Sequence, residues 1–92
     1  MAVRLVVTMQ AAPGKRDELR AAFGSLCPSV QEEPGCQQYE LHQSLDDPDR
    51  FVLLERWDDQ AALQMHINLL QQRGLDLNAL RAGPSQVERY ID

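Results

Sequence analysis

Basic residues, aromatic residues and long apolar runs are all scarce in this sequence. Nine lysines and arginines stand against fourteen acidic residues, which gives a formal net charge of −5. No basic stripe is present to neutralise phosphates, so a nucleic-acid partner is not expected. No stretch approaches the roughly 20 apolar residues that span a membrane, and the apolar run at residues 5–7 is too short for a signal peptide. These absences predict a cytoplasmic protein that has no membrane partner.

Cysteine and histidine are also scarce. Cys27 and Cys36 are the only thiols, and without a CxxC motif they predict reduced, mostly buried side chains and not a disulfide scaffold. His42 and His66 stand far apart among scattered acids, which gives no metal-ligand spacing. The sequence DDPD at 46–49 lacks the glycine and the bidentate glutamate of a calcium loop. We therefore predict no metal site, and we expect His42 to lie on the surface or at an interface.

The sequence does contain a regular succession of strand and helix patterns. Four stretches read as β-strands, namely residues 2–10, 36–44, 51–57 and 85–91. Helical spacing from residue 15 predicts a first helix with one apolar stripe, made of Leu19, Phe23, Leu26 and Val30. Pro28 is expected to kink this helix or to end it early. A second helix is predicted at 60–72 with Asp58 or Asp59 as its N-cap, followed by a short helical piece at 75–81.

This order of elements, β-α-β-β-α-β, predicts a fold class. A chain of 92 residues makes one domain. The second and third strands are joined by the short turn at 46–49 and should form a hairpin. The order is typical of an α+β, ferredoxin-like sandwich, in which a four-stranded antiparallel sheet carries both helices on one face.

The predicted strands carry apolar side chains on both faces. In the third strand Phe51, Leu53 and Trp57 face one way, while Val52 and Leu54 face the other. Helices on one side of the sheet cannot cover the second face, and the remaining apolar surface would exceed what monomers usually expose. We therefore expect a homodimer whose two sheets pack face to face as a dimeric α/β barrel. A monomer with an apolar sheet surface is the alternative.

One group of side chains is a candidate binding site. Trp57 ends the third strand, Tyr39 lies on its neighbour, and His66 lies on the second helix with Met65 on a stripe expected to face the sheet. These residues, with Phe23 of the first helix, could bind a small aromatic ligand in a cavity where His66 is the polar, catalytic group. The alternative is an ordinary core containing a satisfied histidine. Glu40 and Glu55 are expected to form a solvated pair across the hairpin.

The ordered pattern EPGCxxYE, DPxxFxLxExW and ALxxH, which runs from Glu33 to His66, resembles the antibiotic biosynthesis monooxygenase (ABM) domain. The resemblance implies a dimeric ferredoxin-like protein that oxidises a small phenol or quinol with molecular oxygen and uses no cofactor. It also implies that Trp57 and Tyr39 shape the pocket and that His66 takes or relays the phenolic proton.

The chain departs from the family pattern at two positions. Many members have a second histidine where this chain has Gln71. The asparagine of the haem-degrading branch is missing from the first strand, which offers Val6, Val7 and Thr8 instead. Haem degradation is therefore not expected. A non-catalytic dimeric module that binds a ligand or serves a stress or regulatory role is the alternative to an enzyme.

Overall fold

The computed structural model describes residues 1–92 and has the element order predicted from the sequence. The strands and helices are β1 (Val3–Gln10), α1 (Arg16–Gln31), β2 (Cys36–Gln43), β3 (Arg50–Trp57), α2 (Gln60–Arg73) and β4 (Gln86–Ile91). A single 3₁₀ turn, Asn78–Leu80, stands where the short helical piece was predicted. The strands form one antiparallel sheet in the order β2-β3-β1-β4, which confirms the ferredoxin-like α+β fold.

Of the two effects expected of Pro28, an early end of helix α1 is not observed. The helix continues to Gln31, and its end is closed by hydrogen bonds from the backbone N–H of Glu32 to the carbonyl of Ser29 and from that of Glu33 to the carbonyl of Val30. Pro28 lies on the exposed side of α1, so the carbonyl that loses its helical N–H partner faces water, where it can be hydrated. The buried stripe on the opposite side holds the helix on the sheet.

Helix α2 begins where the sequence predicts. Asp59 is its N-cap and accepts a hydrogen bond of 2.9 Å from the backbone N–H of Ala62. Gly74 ends the helix in the left-handed conformation with φ of 68°, which glycine adopts at little cost. The capped helix presents Leu63 and His66 as its buried residues.

The core lies between the two helices and one face of the sheet. In the register of β1 with β3, Val3 is opposite Trp57, Leu5 opposite Glu55 and Met9 opposite Phe51. Alternate residues of both strands therefore share this inner face. The helices contribute their buried stripes to the same layer, namely Leu19, Phe23, Leu26, Val30 and Leu63.

Gly35, just before β2, fixes how closely α2 approaches the sheet. Its φ is 81°, and a Cβ at this position would lie 2.5 Å from the Cβ of Ala62. The Gly35 carbonyl also accepts a hydrogen bond of 2.9 Å from the N–H of Asp58. Only glycine fits this contact, which brings the segment preceding β2, including Glu33, alongside α2.

The outer face of the sheet carries no helix. Val6, Val52 and Leu54 occupy it as half-buried side chains, next to the charged residues Arg4 and Arg56 on the same strands. β4 is exposed along its whole length, including Val87 and Ile91 on the helix side. No helix of the structure has the length and apolar character needed to cross a bilayer. Pairing of two outer faces stays a prediction.

Candidate functional site

Three aromatic side chains from three elements meet on the inner face of the sheet. The ring of His66 on α2 stacks on Trp57 at the end of β3, with 4.6 Å between centroids and 27° between planes. Tyr39 on β2 meets His66 edge-on at 5.3 Å and Trp57 at 6.5 Å. The exposed fractions of the three residues are 0% for Trp57, 2% for Tyr39 and 3% for His66. The structure thus brings together the three residues that the sequence pattern singles out.

A carboxylate fixes the orientation of the His66 ring. The Nδ1 atom lies 2.9 Å from Oε1 of Glu33, whose other oxygen is 3.4 Å from Nη2 of Arg73. Because an ionised carboxylate only accepts hydrogen bonds, Nδ1 carries the proton. In the neutral ring, Nε2 then keeps a free lone pair with which it can accept a proton.

Glu55 is a buried acid on the other side of the same ring. Its Oε1 atom accepts a hydrogen bond of 3.1 Å from Trp57 Nε1 and lies 4.0 Å from His66 Nε2. The residue is only 6% exposed. Burial raises the pKa of Glu55, and the charge of Glu33 raises it further, whereas the Trp57 hydrogen bond and a positive charge on His66 lower it. The net direction is upward, so Glu55 keeps its proton to higher pH than an exposed glutamate.

A cavity of about 180 Å³ lies between α2 and the sheet, beside these groups. Its walls are mostly apolar and include Val7, Leu53, Leu63 and Leu70, while His66, Glu55, Tyr39 and Arg81 supply polar groups. An apolar cavity of roughly 150 Å³ can hold benzene, whereas drug-sized ligands need roughly 300 Å³ or more. The cavity therefore has room for one aromatic ring with small substituents.

Phe23 and Tyr39 separate this cavity from a more open groove. The groove, about 480 Å³ in volume, lies between α1 and the β2 edge, and both aromatic residues line it as well as the cavity. Phe23 and Tyr39 therefore form part of the wall of both spaces.

Two predicted binding residues have other positions. Met65 is 50% exposed and does not line the cavity. It lies with Pro34 and Ala61 at a surface depression near the start of α2. Its predicted place on the inner stripe is wrong, because the buried positions of α2 are Leu63 and His66. Trp57 does not line the cavity and supports the opposite face of His66 instead.

Sequence reasoning missed both carboxylates of this site. The expected solvated pair of Glu40 and Glu55 is wrong, since Tyr39 is the residue opposite Glu55, and Glu40, opposite Leu54, lies exposed on the outer face. The sequence does indicate that Glu55 faces inward, because it occupies the same set of alternate strand positions as Phe51, Leu53 and Trp57. An acid on such an apolar face is unusual. Glu33 is the first residue of the quoted motif, but nothing in the spacing indicates its contact with His66.

The remaining candidate groups lie elsewhere. His42 is exposed on β2, as predicted for a surface histidine. Cys27 and Cys36 are free and partly buried, and burial raises the pKa of both thiols, which keeps them in the less reactive thiol form. No group of three or more histidine, cysteine or acidic side chains is arranged to hold a metal ion.

Comparison with known proteins relates the chain to a family. The family model described as antibiotic biosynthesis monooxygenase matches residues 2–73, which include every strand and helix except β4. Among curated proteins, "Putative monooxygenase YcnE" of Bacillus subtilis is 37% identical over 54 residues. That match spans 59% of this chain and only 57% of the curated relative.

Solved structures extend the similarity over the whole chain. PA3566 from Pseudomonas aeruginosa has a TM-score of 0.88 and 30% identity, covering 99% of this chain and 93% of that one. Rv0793 from Mycobacterium tuberculosis has a TM-score of 0.88 and 26% identity, covering 100% and 95%. With the fold, the quoted motif and the family model in agreement, this chain belongs to the antibiotic biosynthesis monooxygenase family.

Proposed function

We propose that the protein is a monooxygenase that oxidises a single-ring phenol or quinol with molecular oxygen and uses no cofactor. The observation that carries this proposal is the ring-sized cavity beside His66, at whose end His66 Nε2 and Glu55 Oε1 lie 4.0 Å apart. An oxygen atom at hydrogen-bond distance from both atoms fits this separation. The phenolic oxygen of the substrate would occupy that position.

His66 is the proposed general base. Its Nδ1–H is bonded to Glu33, which leaves Nε2 to take the phenolic proton and leaves the resulting imidazolium paired with a carboxylate. Trp57 holds the imidazole ring of His66 by stacking on it, and Tyr39 contacts the same imidazole ring edge-on. Glu55, whose pKa burial raises, donates a hydrogen bond to the phenolate when it is protonated and would repel the phenolate when it is ionised.

The substrate itself supplies the electrons. A phenolate transfers one electron to dioxygen, and the resulting radical pair combines into a ring peroxide. Loss of water from this peroxide leaves a quinone, so one oxygen atom enters the ring and the other leaves as water. The four electrons needed come from the phenol, and no external reductant is consumed. The protein binds the ring, favours its anion and excludes bulk water.

The proposed assembly is a homodimer formed through the outer faces. It is supported by Val6, Val52 and Leu54, which share the face that no helix covers. The cytoplasmic location expected from the sequence stays a prediction.

A non-catalytic ligand-binding module is the second candidate. It is favoured by the single imidazole of the cavity, because Gln71, which replaces the second histidine of many family members, is exposed. Such a module would bind a phenol in air and release it chemically unchanged, which product analysis after prolonged incubation would detect.

Oxygen consumption tests the enzyme proposal. Metal-free protein is mixed with a panel of single-ring quinols and phenols, and uptake is compared with the rate without protein. We expect a protein-dependent rate that is lost in the double variant His66→Ala with Trp57→Phe and kept in His42→Ala, which removes the exposed histidine. A rate that never exceeds the spontaneous one, or that survives the double variant, would exclude this mechanism.

A further inference from the structure

Glu33 contacts both a histidine and an arginine of helix α2. His66 and Arg73 are seven residues apart, nearly two full turns, so they lie on the same face of the helix. Oε1 of Glu33 lies 2.9 Å from Nδ1 of His66, and Oε2 lies 3.4 Å from Nη2 of Arg73. The side chains of His66 and Glu33 are 3% and 8% exposed, whereas that of Arg73 is 34% exposed. The three residues therefore connect the buried imidazole to the surface.

Arg73 is the permanent cation beside Glu33. The ion pairs of the protein give this carboxylate two partners, Arg73 and His66, and a neutral imidazole supplies no charge. The charge of Glu33 raises the pKa of three further groups on β2 and β3, none of which is a base: Cys36, Tyr39 and Glu55. Arg73 therefore compensates the charge of Glu33 whenever His66 is neutral.

Loss of this compensation would change the protonation of His66. Burial disfavours an ionised carboxylate, and a nearby cation favours it. Without Arg73, the pair of Glu33 and His66 is favoured with one additional proton, which lies between Oε1 and Nδ1. Whether that proton belongs to the carboxyl group or to the ring, the other ring nitrogen, Nε2, then carries a proton as well. Nε2 is the atom that lies 4.0 Å from Oε1 of Glu55, and once protonated it cannot act as a base.

We infer that Arg73 is a positioning residue that keeps Nε2 of His66 free to accept a proton. Arg73 does not line the cavity and acts through the carboxylate of Glu33. The contact uses one nitrogen of the guanidinium, so a lysine at this position can supply the same point charge. That Nε2 receives a phenolic proton rests on the proposed function, whereas its protonation state in the free protein does not.

Nitrogen-15 NMR of the imidazole rings tests this inference, because a ring nitrogen changes its chemical shift when it binds a proton. Spectra are recorded without ligand at mildly alkaline pH, where free imidazole is neutral, and His42→Ala assigns the two rings. We expect Nε2 of His66 to be unprotonated in the natural protein. In Arg73→Met the ratio of protonated to unprotonated Nε2 should rise about tenfold or more at the same pH. Arg73→Lys should keep the natural ratio.

Two controls separate this effect from a general change in the protein. The exposed ring of His42 is an internal reference whose signals should stay the same in every variant that retains it. Arg20→Met removes an arginine that pairs at 3.9 Å with Asp17, whose side chain is 93% exposed, and it should leave His66 unchanged. The ratios are read in samples whose amide spectra show the natural fold.

A protonated Nε2 in the natural protein would overturn the inference. An unchanged ratio in Arg73→Met, or an equal rise in Arg73→Lys, would also overturn it. Oxygen uptake is measured separately and should fall in Arg73→Met in proportion to the remaining share of unprotonated Nε2. The expected NMR change in a protein that consumes no oxygen upholds the role of Arg73 and refutes the enzyme. Uptake in a protein whose Nε2 does not respond to Arg73→Met refutes only the role of Arg73.

Discussion

The two faces of the sheet use the same strands in opposite ways. On the inner face Glu55 is a polar group among apolar neighbours, held by Trp57 and lying close to His66. On the outer face Leu54 is an apolar residue whose strand neighbour Arg56 and cross-strand partner Glu40 are charged. Because successive residues of a strand alternate between faces, the same stretch of β3 contributes side chains to both faces of the sheet.

The difference between the faces leads to separate expectations for ligand binding and for assembly. A buried acid costs stability unless its interactions compensate, so its presence beside a cavity favours a chemical role. An apolar patch on a face without a helix favours contact with another protein surface. We therefore expect ligand chemistry on the inner face and subunit pairing on the outer face, and each of the following variants tests one of these expectations.

Adjacent leucines on β3 give the largest expected difference. Leu53 is buried on the inner face and Leu54 is half-buried on the outer one. Leu53→Ala should lower the free energy of unfolding by about 2–4 kcal/mol, because it enlarges a cavity in the core. Leu54→Ala should lower it by about 1 kcal/mol or less in dilute protein. Urea denaturation measures both, and equal losses would contradict the division between the faces.

Charge on the outer face should prevent pairing. Leu54→Arg would place two arginines at a two-fold contact, and we expect the dimer to dissociate at concentrations at which the natural protein is dimeric, with a dissociation constant raised roughly a hundredfold. Sedimentation velocity over a dilution series measures this constant. Leu45→Arg, at an exposed position in the hairpin turn, is the control. A natural protein that sediments as a monomer throughout the series would refute the assembly.

Two glycines with positive φ test how α2 is held against the inner face. Gly35→Ala should cost about 2–3 kcal/mol of stability, since strain at φ of 81° adds to a clash with Ala62. Gly74→Ala has similar strain but open space around it, and should cost about 1 kcal/mol. Thermal or urea unfolding compares the two. If they prove equally destabilising, the close contact between Gly35 and α2 does not exist in solution.

The smallest effect concerns pH and the buried acid. Because the pKa of Glu55 is raised by burial, the folded state binds its proton more tightly than the unfolded state, whose glutamates titrate near about 4.3. Stability is therefore lost as pH rises from that value through the folded pKa. Glu55→Gln removes this loss, so its stability relative to the natural protein should increase between pH 4 and pH 7, as measured by urea denaturation.

Glu40→Gln is the matched control for this pH dependence. Glu40 is exposed on the outer face, one residue along β2 from the partner of Glu55. This variant should follow the natural protein at each pH. A Glu55→Gln variant that also followed the natural protein would mean that Glu55 is ionised as readily in the folded state as in the unfolded one.

The fold was largely predictable, because alternation and helical spacing are local properties of the chain. The second helix was placed correctly by Asp59, whose carboxylate caps it, and the strands by their period of two. The continuation of α1 past Pro28 was not predictable, because the effect of a proline depends on whether its side of the helix faces water. This exposure is a tertiary property.

The site was predictable only in part. Trp57, Tyr39 and His66 stand on elements whose faces can be counted, and the structure brings them together. Met65 was misplaced, because one step around a helix turns a side chain by about 100° and the inner direction of α2 depends on its docking at Gly35. Arg81 and Glu33 lie in connecting segments, whose path over the sheet cannot be read from a periodic pattern.

The most direct test of the central claim is the pKa of a bound phenol. 4-Nitrophenol changes colour on ionisation, is not easily oxidised, and contains a single aromatic ring. Titration of the complex without oxygen should give a phenol pKa about one unit or more below that of the free compound, and this decrease should vanish in His66→Ala. A bound pKa that is raised, as burial alone would cause, or a decrease that persists without His66, would contradict the account.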